Sequence, residues 1–383
     1  MVSFWDNLKP RISGKKDLTS IGIANLVGNG LSAFFWFYIA SIIDPAQYGN
    51  IHYFLGIAGM AQLISLIGTP NTITVYTAKN IKIQSTLFLI SIIPGIISSI
   101  VIFLYFNRID VSLLILGYII FELVNAMLLG KKLFSKYSKF FILQKGLTLV
   151  LGIILFYIFD VDGIIFALVL TYIPSVIIFI NELRKQRIDF TLLKMRRGFL
   201  INNYMLSLSG AISGQIDKII IAPILGFELL GNYSLALQFL TVLMMFSNIA
   251  FKYLLTQDSS GKENRSLRKL VILLSIGIAV FGVLVLPMII PILFPKFVET
   301  INAIQIISLI VIPGTITLLY GSKLLSLEKS KYLVISKSIS IIIIVSGFIL
   351  LGPMYKIVGL ASVLVLSSTI EAIFLIGVVR RIR

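Results

Sequence analysis

Apolar residues fall along this chain in long blocks separated by short polar segments, and block length decides what each can be. A helix needs about 20 apolar residues to cross a bilayer. Cutting at the polar breaks gives twelve runs near that length, at 18–43, 51–76, 86–106, 111–129, 140–159, 163–181, 200–223, 235–256, 270–293, 302–326, 332–352 and 358–379. They predict an all-α polytopic membrane protein with twelve transmembrane helices. The second run is the least regular: GTPNTITVYTAKN at 68–80 holds Pro70 and several polar residues, so its end is expected to leave the membrane as an interfacial segment.

Composition agrees. The chain has 383 residues, 58% hydrophobic and 13% charged, with a mean hydropathy of +1.01, more apolar surface than a soluble core hides. No cysteine is present, which excludes disulfides, thiol catalysis and Cys-ligated metals, and the single histidine, His52, reads as an ordinary residue near a helix start. No cofactor is expected. The first apolar run is too long for a cleaved signal sequence and lacks a small-residue cleavage site, so it is expected to remain as the first span.

A net charge of +17 suggests nucleic acid until its distribution is considered. The basic residues sit in short segments between apolar runs, as in cytoplasmic loops facing anionic lipid, so no nucleic-acid partner is expected. With the N-terminus inside, 25 of the 33 basic residues fall in cytoplasmic segments, including Lys131, Lys132, Lys136, Lys139 and the run ELRKQRIDFTLLKMRR at 182–197. Only Arg108, Lys296 and Lys356 fall in outer loops, and Lys145, Lys218, Lys252, Lys323 and Lys337 fall within or at the ends of spans. This asymmetry predicts a multi-pass plasma-membrane protein with both termini cytoplasmic.

The chain also repeats itself. GKKLFSKYSKFFILQK at 130–145 and GSKLLSLEKSKYLVISK at 321–337 share glycine, serine and lysine positions, aligning Gly130 with Gly321 and Lys145 with Lys337. Gly49 and Asn50 likewise align with Gly231 and Asn232, and VDGIIFALVLTY resembles KIVGLASVLVLS. Six spans per half leave both halves in one orientation, which predicts two six-helix lobes related by a pseudo-twofold along the membrane normal. The expected divisions are a basic N-terminus at 1–17, lobes at 18–181 and 200–379, a basic linker at 182–199 and a basic C-terminus at 380–383.

Polar residues inside the spans are the candidate site. Gly22, Asn25, Asn29, Ser32 and Trp36 form a stripe on one face of span 1, and Asn203, Ser207, Gly210, Gly214 and Asp217 form one on span 7. Small polar residues also mediate helix contacts, but paired stripes on equivalent helices favour a shared cavity. A charge inside a span costs roughly 2.5–3.5 kcal/mol, so Asp217, Lys218, Glu122, Lys145, Lys337 and Glu371 each need a partner or water. Glu122 is placed to pair with Lys145, and Glu371 with Lys337. Asp217 and Lys218 are adjacent, about 100° apart around the helix, so only one is expected to face a cavity.

The stretches IIDPAQYGN (42–50), SLIG (65–68), QIDKIIIAPILGFELLGNYSLA (215–236), LFPKFVETINAIQIISL (293–309) and GPMYKIVGLASVLVLS (352–367) resemble the polysaccharide biosynthesis proteins. These are oligosaccharide-lipid flippases of the multidrug/oligosaccharidyl-lipid/polysaccharide (MOP) superfamily. The resemblance covers most of the chain with degenerate motifs. Ser41 stands where the family often has an arginine, and Asp44 replaces a glycine, so no role of that arginine is carried over.

The resemblance implies movement of a polyprenyl-phosphate or pyrophosphate-linked oligosaccharide from the cytoplasmic to the outer leaflet by alternating access. Lys218, Lys145 and Lys337 are candidate phosphate cations, and Asn25, Asn29, Ser32, Trp36, Asn203, Ser207 and Gln215 are candidate glycan contacts. Asp217 and Glu122 are candidates for coupling to H+ or Na+. The expected partners are this lipid-linked oligosaccharide and membrane lipids, and the chain is expected to act as a monomer. The rival is a cation-coupled multidrug exporter of the same superfamily. A membrane glycosyltransferase or polymerase would need an active site, and no outer loop exceeds about ten residues. An enzyme is therefore not expected.

Overall fold

The computed structural model describes residues 4–185, 188–194, 197–259, 265–327 and 329–382; the side chains of residues 4–20 and of several positions in 192–213 and 252–265 lie outside the description. The described residues form helices α1 (Phe4–Ile42), α2 (Pro45–Leu66), α3 (Thr69–Ala78), α4 (Gln84–Phe106), α5 (Ile109–Gly130), α6 (Phe134–Leu170), α7 (Ile173–Leu183) and α8 (Phe190–Lys194). They continue with α9 (Arg197–Leu225), α10 (Phe227–Leu243), α11 (Met245–Ser259), α12 (Arg265–Leu284), α13 (Leu286–Leu293), α14 (Thr300–Ile307), α15 (Val311–Ser326) and α16 (Lys331–Ile382).

Among the described residues, seven helical stretches are long and apolar enough to cross a membrane, or up to nine if two bent pairs each count as one span. One bent pair is α2 with α3, broken by 49° at Gly68 and Pro70, where the polar segment of the second run begins. The other is α10 with α11, bent by 44° at Met244, where no proline or glycine marks the sequence. The chain is thus an all-helical, multi-pass membrane protein.

Two compact units make up the molecule: Met1–Phe35 with Ala58–Leu208, and Trp36–Ile57 with Ser209–Arg383. At the centre of the first is α5, whose Leu114, Ile115, Ile119 and Leu123 are wholly buried. Helices α3 and α4 pack against it through side chains that reach across to backbone: Thr74 donates to the Ala126 carbonyl at 3.1 Å and Ser99 to the Ser112 carbonyl at 2.9 Å. Small hydroxyl residues permit this close approach in a membrane, where dispersion and such hydrogen bonds replace the hydrophobic drive. At the turn before α5, Arg108 grips Asp110 with both nitrogens, at 3.0 and 2.6 Å, and lies 3.6 Å from Asp162. The hydrogen bonds that Arg108 donates to Asp110 raise the Arg108 pKa above its ordinary value.

In the second unit the core gathers Ile221, Leu230, Tyr233, Ile307, Phe348 and Leu360. The segment 36–57 joins it through aromatic contacts, Phe37 on Phe239 at 4.7 Å between ring centres and Tyr48 on Phe297 at 5.6 Å. An exposed ion pair, Asp44 to Lys296 at 3.0 Å, ties the turn between α1 and α2 to the segment before α14.

Each unit carries a long helix that doubles back on itself. In α6 the chain turns at Asp160 (φ 55°), and Gly163 lies against the Leu155 carbonyl. Eight residues of straight helix would separate these by about 12 Å. In α16 the turn is at Lys356 (φ 48°), and Gly359 lies against the Leu351 carbonyl. The arms are joined by Gln144 of α6 to Thr171, the residue just past its end, at 3.1 Å, and by Ser340 to Ser367 at 2.7 Å in α16. Every matched position in the two hairpins differs by 196 residues.

That spacing corrects one sequence alignment. Pairing Lys145 with Lys337 assumes a spacing of 192, one helical turn short of the hairpins' spacing. Gly130 ends α5, whereas Gly321 lies inside α15, five residues before its end. Lysines and serines line both of these turns, so a slip of one turn preserves the residue types and hides in the sequence.

Candidate functional site

The polar stripe of α1 crosses the boundary between the two units. In the first unit, Asn25 donates to the Ile21 carbonyl of its own helix at 2.9 Å, Asn29 is exposed and Ser32 is half-buried. Trp36 belongs to the second unit, where its ring packs on His52 at 4.8 Å and Tyr48 at 6.1 Å. Asn203 and Ser207 lie on α9, and their side chains are outside the described residues.

Glu122 and Lys145, both in the first unit, form no ion pair among the described residues, so the suggested pairing is not observed. The Lys145 ammonium instead sits 5.7 Å from the centre of the Phe141 ring. Its stem lies against Gly28 of α1. In the second unit Lys337 does meet Glu371, at 2.9 Å, with the lysine 40% and the glutamate 6% exposed.

The adjacent charges of α9 part company. Asp217 is buried and turns toward the core, accepting from the Tyr233 hydroxyl at 3.0 Å and from the Lys218 N–H at 2.8 Å. Lys218 turns toward a cavity, its ammonium 3.0 Å from Gln215 Oε1 and 3.4 Å from the Gly214 carbonyl. Gly56 of α2 leaves room for the lysine stem: a Cβ there would come within 3.0 Å of Lys218 Cβ. No carboxylate pairs with Lys218 among the described residues.

This cavity, of about 260 Å³, lies wholly within the second unit and is lined by His52, Gly214, Lys218, Ser234, Leu237, Gln238, Leu240 and Thr241. His52 is the one of these lining residues that the sequence reads as ordinary. It sits at the second position after Asn50 in the α2 half of the repeated YGN/LGN segment, but nothing local marks its burial. Among the described residues, no group of three or more His, Asp or Glu side chains could hold a metal ion.

Similar folds recur among transporters. The lipid II flippase MurJ in an inward closed conformation superposes with a TM-score of 0.77 at 13% identity, over 94% of this chain and 87% of that one. A multidrug resistance MATE family transporter of the MOP superfamily, inward-facing, gives 0.69 at 16% identity, over 92% and 94%. A MOP superfamily transporter from Pyrococcus furiosus gives 0.63 at 16% identity, over 96% and 95%. No curated protein matches the sequence. The fold is that of the MOP superfamily, and since residues 15–253 match the family model described as polysaccharide biosynthesis protein, the chain belongs to that family.

Proposed function

We propose that this protein is a flippase that carries a polyprenyl-(pyro)phosphate-linked oligosaccharide from the cytoplasmic to the outer leaflet by alternating access. The observation that carries this reading is a polar cavity inside the membrane fold with Lys218 on its wall and, among the described residues, no carboxylate paired with it. An intramembrane ammonium held without a counter-ion is costly, and an anionic cargo offsets that cost when it binds. A glycan cannot cross hydrocarbon unaided, so its polar head travels in a wetted space while its lipid stays in the bilayer. Lys218 and Lys145 supply cations for the anionic parts of the cargo, whereas Lys337 is engaged by Glu371 and serves the fold. Asn25, Asn29, Ser32, Trp36, Asn203, Ser207 and Gln215 are proposed to contact the glycan. Asp217 and Glu122 are proposed to couple the cycle to H+ or Na+.

This reading uses twelve spans in two lobes, 18–181 and 200–379, with both termini in the cytoplasm. The stretches Phe134–Leu183 and Lys331–Ile382, of 50 and 52 residues, support the count, because each reverses and is long enough to cross a bilayer of about 30 Å twice. The matching hairpins support duplication.

Deleting the gene and measuring lipid-linked oligosaccharide tests the function. Accumulation on the cytoplasmic leaflet is expected. An unchanged pool with altered drug sensitivity would instead favour a cation-coupled exporter, a reading supported by the fold shared with the MATE transporter.

A further inference from the structure

Two side chains on the wall of the Lys218 cavity are buried without a partner. His52 is 8% exposed and Ser234 3%, yet His52 Nε2 and Ser234 Oγ meet no hydrogen-bond partner among the described residues. Buried polar atoms in native proteins are almost always satisfied, by protein or by something bound. Two orphans on one cavity wall, beside an ammonium that pairs with no carboxylate among the described residues, mark a place built for a guest. The imidazole is held in advance, packed at a tilt against Tyr48 at 4.4 Å and Trp36 at 4.8 Å. Such preorganisation lowers the entropy lost on binding.

Charge and size narrow the guest. At about 260 Å³ the cavity falls below the roughly 300 Å³ at which pockets for whole drug-sized molecules begin, so it takes one ring-sized group. Lysine is a point charge rather than the fork that suits phosphate oxygens in pairs. A diphosphate would bring a second negative charge, and the lining offers no second cation. A sugar acid brings one carboxylate and several hydroxyls. The lining supplies one ammonium and four neutral hydrogen-bonding side chains, His52, Ser234, Gln238 and Thr241, with Leu237 and Leu240 for the C–H face of a ring.

Resting on the reading that the cargo is a lipid-linked glycan, we propose that this cavity is a subsite for one acidic monosaccharide unit. Lys218 meets its carboxylate, and His52 and Ser234 bond its hydroxyls. Selection of an anionic glycan follows from this match.

Because His52 is the single histidine of the chain, its imidazole gives one unambiguous magnetic resonance signal in the tag-free, full-length protein reconstituted in lipid nanodiscs. Titration with glucuronate is expected to move that signal saturably, with glucose weaker by about tenfold or more. Lys218→Gln should abolish the glucuronate response, Lys218→Arg retain part of it, and Ser234→Ala weaken it while Ser234→Thr keeps it. A signal moved by inorganic pyrophosphate and not by glucuronate overturns the sugar-acid subsite and gives the cavity to phosphate, leaving flipping intact. A signal that no ligand moves, or a glucuronate response unchanged in Lys218→Gln, overturns it as well. The leaflet measurement reports on glycan transport independently, so failure of the subsite and failure of the flippase reading are told apart.

Discussion

Gly49 of α2 and Gly231 of α10 meet backbone to backbone, each where a Cβ would run into the carbonyl of the residue four positions before the other, Phe227 and Pro45 respectively. The contact is reciprocal, and the sequence repeat aligns these same two glycines. Only a residue without a side chain permits two helices to cross this closely. Gly49→Ala and Gly231→Ala are each expected to destabilise the protein by about 1–3 kcal/mol through overpacking. Because both act at one crossing, the double variant should cost less than the sum. Thermal unfolding in detergent checks this, and an unchanged midpoint for both single variants would contradict the crossing.

The Lys337–Glu371 pair makes a different prediction. Its carboxylate is buried while its ammonium is 40% exposed, so Lys337→Met strands a charge in the core. A loss of about 1–3 kcal/mol is expected, discounted for the lysine's exposure. Adding Glu371→Gln should recover most of it. If the double variant is no more stable than Lys337→Met, the pair does not hold the two arms of α16 together.

Lys218→Gln is expected to abolish surface glycan at normal expression, since it removes the cation from the cavity. Asp217→Asn should leave the fold intact, because an amide oxygen still accepts from Tyr233. It should nevertheless remove the dependence of flipping on a proton or sodium gradient in reconstituted vesicles. Gradient dependence unchanged in Asp217→Asn would take this residue out of the coupling.

The absence of cysteine makes single-cysteine labelling free of background. Cysteines placed at Asp160 and Lys356 should react in intact cells with a membrane-impermeant maleimide. Cysteines at Lys139 and Lys194 should react only after permeabilisation. Labelling of Asp160 and Lys356 from opposite sides would break the twelve-span orientation.

Much of this architecture was legible because membrane insertion writes itself locally. Apolar run lengths predicted helices, and the polar residues at Asp160 and Lys356 marked the two reversals. Lys218 was conspicuous as a charge within an apolar run. The bend at Met244 carries no proline or glycine, so nothing local in the sequence marks it. His52 was missed for a similar reason: its place on the cavity wall depends on Trp36 sixteen residues earlier and on α9 and α10 far along the chain. The register of Lys145 and Lys337 escaped because residue type repeats along the helix, whereas contacts distinguish one turn from the next.

The segment Trp36–Ile57 packs into a unit otherwise made of Ser209–Arg383. During translation it leaves the ribosome long before the residues that will bury it, and Tyr48 must wait for Phe297 and Gly49 for Gly231 until those later segments are synthesised. Completion of that unit is therefore a late, post-insertion event, and a C-terminal fragment produced by itself would lack an integral wedge of its own core.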